Sequence, residues 1–248
     1  MSKKIIVWLV VAVSFILISG IVFVGTMSAL NWDFMRLNTT QYETNAYTIN
    51  EQFKNISVNT NTIDVLFLKS DDNVCKIETI ELKNEKHIIT VQDETLKIDL
   101  NDTRNWYDYV TFFSFVEPQI KVYLPQDTYD NIGVSLSTGD IDMVGNFYFE
   151  NIDIKGSTGD VNLNNVLAGN INIVATTGDI ELESCDANEI YVKTSTGDVE
   201  GRLLSKKVFV CNTSTGDIDI PKTTGGGKCE VTTSTGDIEF KVRIIVAN

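Results

Sequence analysis

The tetrapeptide Ser137-Thr138-Gly139-Asp140 opens a series of six related units, five reading Ser-Thr-Gly-Asp and one reading Thr-Thr-Gly-Asp. The central glycines are separated by 20, 19, 19, 19 and 20 residues. They are Gly139, Gly159, Gly178, Gly197, Gly216 and Gly236. A constant period in this range is typical of proteins that stack one structural unit per repeat. The sequence therefore predicts a stack of six similar coils in the second half of the chain.

Apolar residues alternate on both sides of each motif. Four positions of each repeat are aligned: those seven and five residues before the glycine, and those two and four residues after it. Of these 24 positions in the six repeats, 23 are apolar, and Gly201 is the exception. Alternate residues of a strand face opposite sides, so each repeat carries two half-buried strands. The motif suits the corner between them, because glycine tolerates positive φ and Asp, Ser and Thr bond nearby backbone groups. This pattern predicts an all-β fold, a parallel β-solenoid with coils of 19 to 20 residues preceded by one amino-terminal transmembrane helix.

The amino terminus predicts a membrane anchor over residues 1–30. Lys3 and Lys4 precede an uncharged, mostly apolar run from Ile5 to Val24, which is long enough to cross a bilayer as a helix. A cleaved signal peptide is the alternative, although Met27-Ser28-Ala29 is a poor cleavage site. Positive charge before the helix predicts a single-pass protein of the cell membrane, with its amino terminus in the cytoplasm and its carboxyl-terminal domain extracellular.

The remaining chain predicts three further regions. Residues 31–51 are polar and predict a linker, residues 52–130 predict irregular β coils or an amino-terminal cap, and residues 131–248 predict the regular solenoid with the six repeats. An aromatic cluster that includes Trp106 and Tyr107 predicts either a binding loop or a plug for the first coil.

Charge and residue content restrict the functional classes. A net charge of −14 argues against nucleic acid as a partner. The four cysteines form no metal-ligand spacing, and Cys211 and Cys229, which occupy inward positions, are expected to be buried free thiols rather than a disulfide. The lone histidine, His87, is expected on a solvated strand end, so no nucleophile–base pair is available. The sequence therefore predicts a protein that is not an enzyme and needs no cofactor.

The anchor, the strand Gln119–Pro125 and the segment Val134–Ile141 with the serial motifs resemble the bacterial "putative adhesin" β-strand-repeat family, a domain of unknown function. The resemblance covers residues 50 to 248. It implies a membrane-attached, outward-facing β-solenoid, often of Gram-positive bacteria and sometimes encoded beside regulators of cell-envelope stress. No catalytic residues come with this family.

Two sets of residues are candidate sites. Six motif aspartates stack in one column, which predicts either a calcium ladder or carboxylates that accept backbone N–H bonds at the corners. They are Asp140, Asp160, Asp179, Asp198, Asp217 and Asp237. Arg202, Lys206 and Lys207 predict either a contact to an anionic cell-wall polymer or acidic envelope protein, or an ordinary solvated arc.

The function predicted from these features is surface binding, adhesin-like or structural, in the cell envelope. The alternatives left open are an accessory role in envelope stress signalling, calcium binding and activity on polysaccharides.

Overall fold

The computed structural model describes residues 3–33, 42–103 and 116–243. The chain forms two compact units, one that contains the amino-terminal helix and one that contains the strands. Helix α1 spans Lys3–Ala29, 27 residues, and by length and composition it can cross a membrane. At 1.5 Å per residue it is about 40 Å long.

The β unit contains sixteen described strands, which belong to one sheet. Their bounds are β1 Tyr42–Ile49, β2 Asn55–Asn59, β3 Asp64–Lys69, β4 Cys75–Leu82, β5 Glu85–Gln92, β6 Thr95–Asp102, β7 Gln119–Leu124, β8 Thr128–Thr138, β9 Ile141–Thr158, β10 Val161–Val174, β11 Ile180–Lys193, β12 Val199–Leu203, β13 Lys207–Asn212, β14 Ile218–Asp219, β15 Gly227–Thr232 and β16 Ile238–Val242.

Successive repeats pair in parallel, with equivalent residues side by side. Ile154 lies beside Ile173, which lies beside Val192, and all three side chains are fully buried. At each corner the backbones approach closely: a Cβ built on Gly178, whose φ is +135°, would lie 2.0 Å from the carbonyl oxygen of Gly159. Only glycine fits such a corner, both for its positive φ and for the space.

The prediction of a parallel β-solenoid is wrong for this chain, because eight strands close into a barrel of mixed direction. The ring runs β9-β3-β7-β4-β5-β6-β2-β8 and returns to β9. Five of its neighbouring pairs are parallel, whereas β7·β4, β4·β5 and β5·β6 are antiparallel. Alternating apolar residues occur in strands of either direction, so the pattern in residues 52–130 did not reveal the antiparallel pairs.

The last two repeats lie in the reverse of their sequence order. β12 pairs with β16 of the sixth repeat, and β16 then pairs with β14 of the fifth repeat, which is outermost. The segment Gly225-Gly226-Gly227 makes this return possible. A Cβ on Gly226 would lie 1.7 Å from the carbonyl oxygen of Lys206, and one on Gly227 would lie 1.8 Å from that of Asn188. The chain thus passes between two neighbouring backbones where no side chain fits.

Part of the predicted linker belongs to the sheet. Within residues 31–51, strand β1 pairs antiparallel with β4 over its whole length, from Tyr42 opposite Leu82 to Ile49 opposite Cys75. The residues of β1 alternate only weakly between half-buried and exposed. The sequence therefore lacks the alternation of apolar and polar residues that would have indicated a strand. The predicted aromatic loop with Trp106 and Tyr107 lies outside the described residues.

Candidate binding surfaces

The motif aspartates form a hydrogen-bonded ladder along the corners. Along a ladder that begins at Asp64 and ends at Asp217, the carboxylate of every aspartate but the last accepts the backbone N–H of the aspartate in the next coil, with N···O distances of 2.7 to 2.9 Å. Burial raises the pKa of Asp64, and the N–H of Asp140 opposes this rise. The ladder runs from Asp198 to Asp237 and only then to Asp217, which repeats the exchanged order of the last two coils.

This ladder favours the structural interpretation of the column over the calcium one. In each ladder aspartate that accepts such a bond, one carboxylate oxygen is engaged by a backbone N–H. These aspartates are Asp64, Asp140, Asp160, Asp179, Asp198 and Asp237. In the part of the chain that the structure describes, no group of three or more His, Cys, Asp or Glu side chains is arranged to hold a metal ion.

The structure does not bring the three predicted basic residues together. The guanidinium of Arg202 lies 2.9 Å from the carboxylate of Glu183, beside a hollow of about 110 Å³ that is also lined by Glu200 and Glu239. Lys206 is exposed, whereas Lys207 is 2% exposed and its ammonium contacts the carboxylate of Asp186 and, at 2.6 Å, Ser205 Oγ. The three residues therefore lie in three separate environments and do not form the predicted basic patch.

The long strands β9 and β10 carry a more open surface. Tyr148 of β9 and Leu167 of β10 are register partners, and they are 43% and 41% exposed. Each lines two neighbouring hollows, of about 320 and 220 Å³. Large exposed apolar side chains that border a concave surface are typical of binding sites. We call this surface the Tyr148–Leu167 ridge.

Polar groups converge on the larger of these hollows. Asp186 of β11 is the register partner of Leu167. Its carboxylate pairs with the ammonium of Lys207 at the wall of this hollow, which Asn188 also lines. The smaller hollow adds Asn146 and Asn165. An aromatic ring beside a carboxylate and amide groups can stack on an apolar ring face and hydrogen-bond to hydroxyl groups.

A buried polar cluster lies where β4 and β5 meet the corner between β2 and β3. His87 Nδ1 is 2.8 Å from Glu81 Oε2, the backbone N–H of His87 donates to the same oxygen at 2.8 Å, and Thr60 Oγ1 is 2.7 Å from His87 Nε2. Asn45 and Thr79 donate to Glu81 Oε1. Burial alone would raise the pKa of Glu81, but these hydrogen bonds, led by that of His87, lower it.

The expectation that His87 lies on a solvated strand end is wrong, because its side chain is only 2% exposed. The cluster resembles a nucleophile–base–acid arrangement, but the hollow beside it has a volume of only about 10 Å³, no more than a water molecule needs. A signal was present in the sequence: Thr79 and Glu81 continue the inward alternation of Cys75 and Ile77. Polar residues at inward positions indicate a buried hydrogen-bonded cluster.

The thiols offer no activated nucleophile. All four cysteines are free, and burial raises the pKa of Cys75, Cys185 and Cys229 to about 12 and that of Cys211 to about 11. A thiol is nucleophilic as its thiolate, which such values make scarce at neutral pH.

Comparison with known proteins identifies a family and a fold. A sequence model of the Toastrack DUF4097 family matches residues 53–244. A search of curated proteins found no match. A "putative adhesin" from Bacteroides fragilis NCTC 9343 is structurally similar with a TM-score of 0.52 and 16% identity, over 82% of this chain and 98% of that one. A "putative cell adhesion protein" from Clostridium sporogenes ATCC 15579 has a TM-score of 0.50 and 11% identity, over 82% and 100% of the two chains. At these identities the likeness concerns the fold alone.

Proposed function

Because this chain belongs to the Toastrack DUF4097 family, we propose that it is a membrane-anchored, non-catalytic binding protein whose β domain lies outside the cell. The site we propose is the Tyr148–Leu167 ridge, and the ligand is a polysaccharide chain of the cell envelope.

The anchor in this proposal is α1. The helix is apolar over its length and begins at Lys3 and Lys4, while Asp33 lies just after its end. Positive residues flanking a membrane helix favour the cytoplasmic side. This orientation places the β domain outside. Protease added to intact cells should then degrade the β domain, and full protection would contradict the orientation.

The observation that carries the binding role is the exposure of Tyr148 and Leu167 between two hollows of the same surface. A sugar ring has apolar faces that stack on an aromatic ring and hydroxyl groups that need donors and acceptors at its rim. Tyr148 provides the ring, and Asp186 and Asn188 provide the polar groups, while the buried Lys207 holds the carboxylate of Asp186 in place. The acidic chain as a whole does not favour anionic lipid or nucleic acid, whereas a hydroxyl-rich polymer meets no charge barrier.

The test is a binding assay with the full chain in detergent micelles and purified cell-wall polysaccharide as the probe. We expect Tyr148→Ala to weaken retention on the polymer by about tenfold, because stacking on one aromatic side chain contributes about 1–3 kcal/mol. Tyr191→Ala is the matched control, since Tyr191 is 37% exposed but lies on β11 outside both hollows. Equal retention of the wild type and Tyr148→Ala would refute the proposed site.

A further inference from the structure

In the part of the chain that the structure describes, no strand lies on the far side of the outermost coil of the stack. Among the described strands, β13 pairs only with β15, and β14 pairs only with β16. Each therefore presents one free edge of backbone N–H and C=O groups. Thr223 covers part of this edge, because its hydroxyl donates to the carbonyl oxygen of Lys207. Free strand edges are surfaces onto which another strand can pair.

The interior of the stack is also uncovered at this end. Ile218 is 43% exposed, whereas its register partner Ile238, one coil further in, is fully buried. Phe209 and Cys211 are half-buried, although their partners Cys229 and Val231 are fully buried. The equivalent side chains of the other coils lie in the core. Their exposure here means that the core ends without a cover in the described part of the chain.

The opposite end of the stack is occupied. There β2 pairs with β6 as well as β8, and β3 pairs with β7 as well as β9. Among the described strands, head-to-tail association would have to use the free edge of β1, which pairs only with β4 and belongs to an antiparallel pair rather than to a coil of the stack. An end that instead meets its own copy forms an isologous contact, which closes at two subunits.

The charge of the outermost coil permits such a contact. Residues 204–226 contain three lysines, Lys206, Lys207 and Lys222, and two aspartates, Asp217 and Asp219, which gives +1. The whole chain carries −14, so the remaining residues carry −15. Two strongly acidic proteins repel each other least where their local charge is close to zero.

We propose that this end of the stack, formed by β13, β14, the exposed side chain of Ile218 and the half-buried side chains of Phe209, Cys211 and Ile220, is a two-fold interface with a second copy of the chain. A six-residue strand is about 20 Å long, so the contact is at the small end of the range for specific interfaces. The dimer should accordingly dissociate on dilution.

The test measures the mass of the full chain in neutral detergent by analytical ultracentrifugation across a range of concentrations. The wild type should be a dimer at high concentration, and Ile218→Lys should halve the protein mass by placing a charge in the contact. Val144→Lys is the matched control, because Val144 is also 43% exposed but lies on β9. Thermal unfolding checks that both variants fold.

The half-buried thiol of Cys211 supplies a second readout, since the other three thiols are nearly inaccessible. Alkylation of Cys211 should be slower in the dimer than in Ile218→Lys. A wild type that stays monomeric at all concentrations would overturn the proposal. So would an Ile218→Lys variant that remains a dimer, because α1 or another surface would then hold the subunits together.

Discussion

The ring of Phe240 occupies the space that a side chain on Gly201 would fill, since a Cβ built on Gly201 would lie 2.3 Å from Cε1 of Phe240. The two residues are direct register partners on β12 and β16. Gly201 is the one of the 24 inward positions of the repeats without an apolar side chain, and Phe240 of the sixth repeat fills the space. If the fifth repeat were next in the stack, the smaller Ile220 would face Gly201 instead.

This pairing predicts an energetic coupling between the two positions. Gly201→Ala should lower the free energy of unfolding by about 1–3 kcal/mol, because the added methyl group overlaps the Phe240 ring. In a Phe240→Leu background the same substitution should cost less, since the smaller side chain leaves room. A double-mutant cycle followed by circular dichroism measures the coupling. Additive effects would show that the two side chains do not share this space.

The glycine segment before β15 predicts a strong contrast between neighbouring positions. Gly227→Ala should lower the free energy of unfolding by about 2 kcal/mol or more, because its Cβ would overlap the carbonyl oxygen of Asn188. Gly225→Ala is the control, as a Cβ there meets no atom within 4 Å. Thermal unfolding of both variants measures the difference. Equal effects would contradict the passage of this segment between two backbones.

The buried cluster around Glu81 predicts a pH-dependent contribution to stability. Its pKa is lowered below the ordinary value of 4.5, so its stabilising effect is present above pH 4.5 and is lost as the pH falls through the folded-state pKa. Glu81→Gln should lower the free energy of unfolding at pH 7 by about 2–3 kcal/mol, because charged hydrogen bonds are lost.

The penalty of Glu81→Gln should shrink as the pH is lowered from 4.5, where the unfolded chain begins to bind a proton at Glu81, to below the folded-state pKa, where the folded carboxylate is protonated too. Urea unfolding of both proteins at several pH values measures this change. Glu78→Gln on the same strand is the control, because its side chain is exposed. A penalty that is the same at pH 7 and at pH 3 would show that the charge of Glu81 does not stabilise the cluster.

The aspartate ladder predicts that calcium has no effect on stability. One oxygen of each carboxylate is already held by a backbone N–H, and among the described residues no group of three or more His, Cys, Asp or Glu side chains is arranged to share an ion. Millimolar calcium should leave the melting temperature unchanged, whereas Asp179→Ala should lower the free energy of unfolding by about 1–3 kcal/mol by leaving the N–H of Asp198 without its acceptor. A rise in melting temperature with calcium would restore the metal hypothesis.

The sequence could predict features that depend on neighbours along the chain or on the repeat itself. The helix over Lys3–Ala29 follows from an uninterrupted apolar run. The parallel contact of Ile154, Ile173 and Val192 follows from a constant period, because stacked copies put like residues together. The resemblance to a "putative adhesin" family is also confirmed by the match to Toastrack DUF4097. The cluster of Glu81, His87 and Thr60 was missed, because its members come from separate strands and corners.

The sequence by itself determined where the chain turns and which side chains face inward, because a Thr-Gly-Asp corner and alternating apolar residues act over a few residues. Only the tertiary structure decided which strands pair. The antiparallel pairs that close the barrel, the place of the sixth repeat beneath the fifth, and the burial of Lys207 against Asp186 all depend on how distant segments fill space together. Several partners satisfy the same local pattern, and the choice among them rests on complementary fits such as that of Phe240 over Gly201.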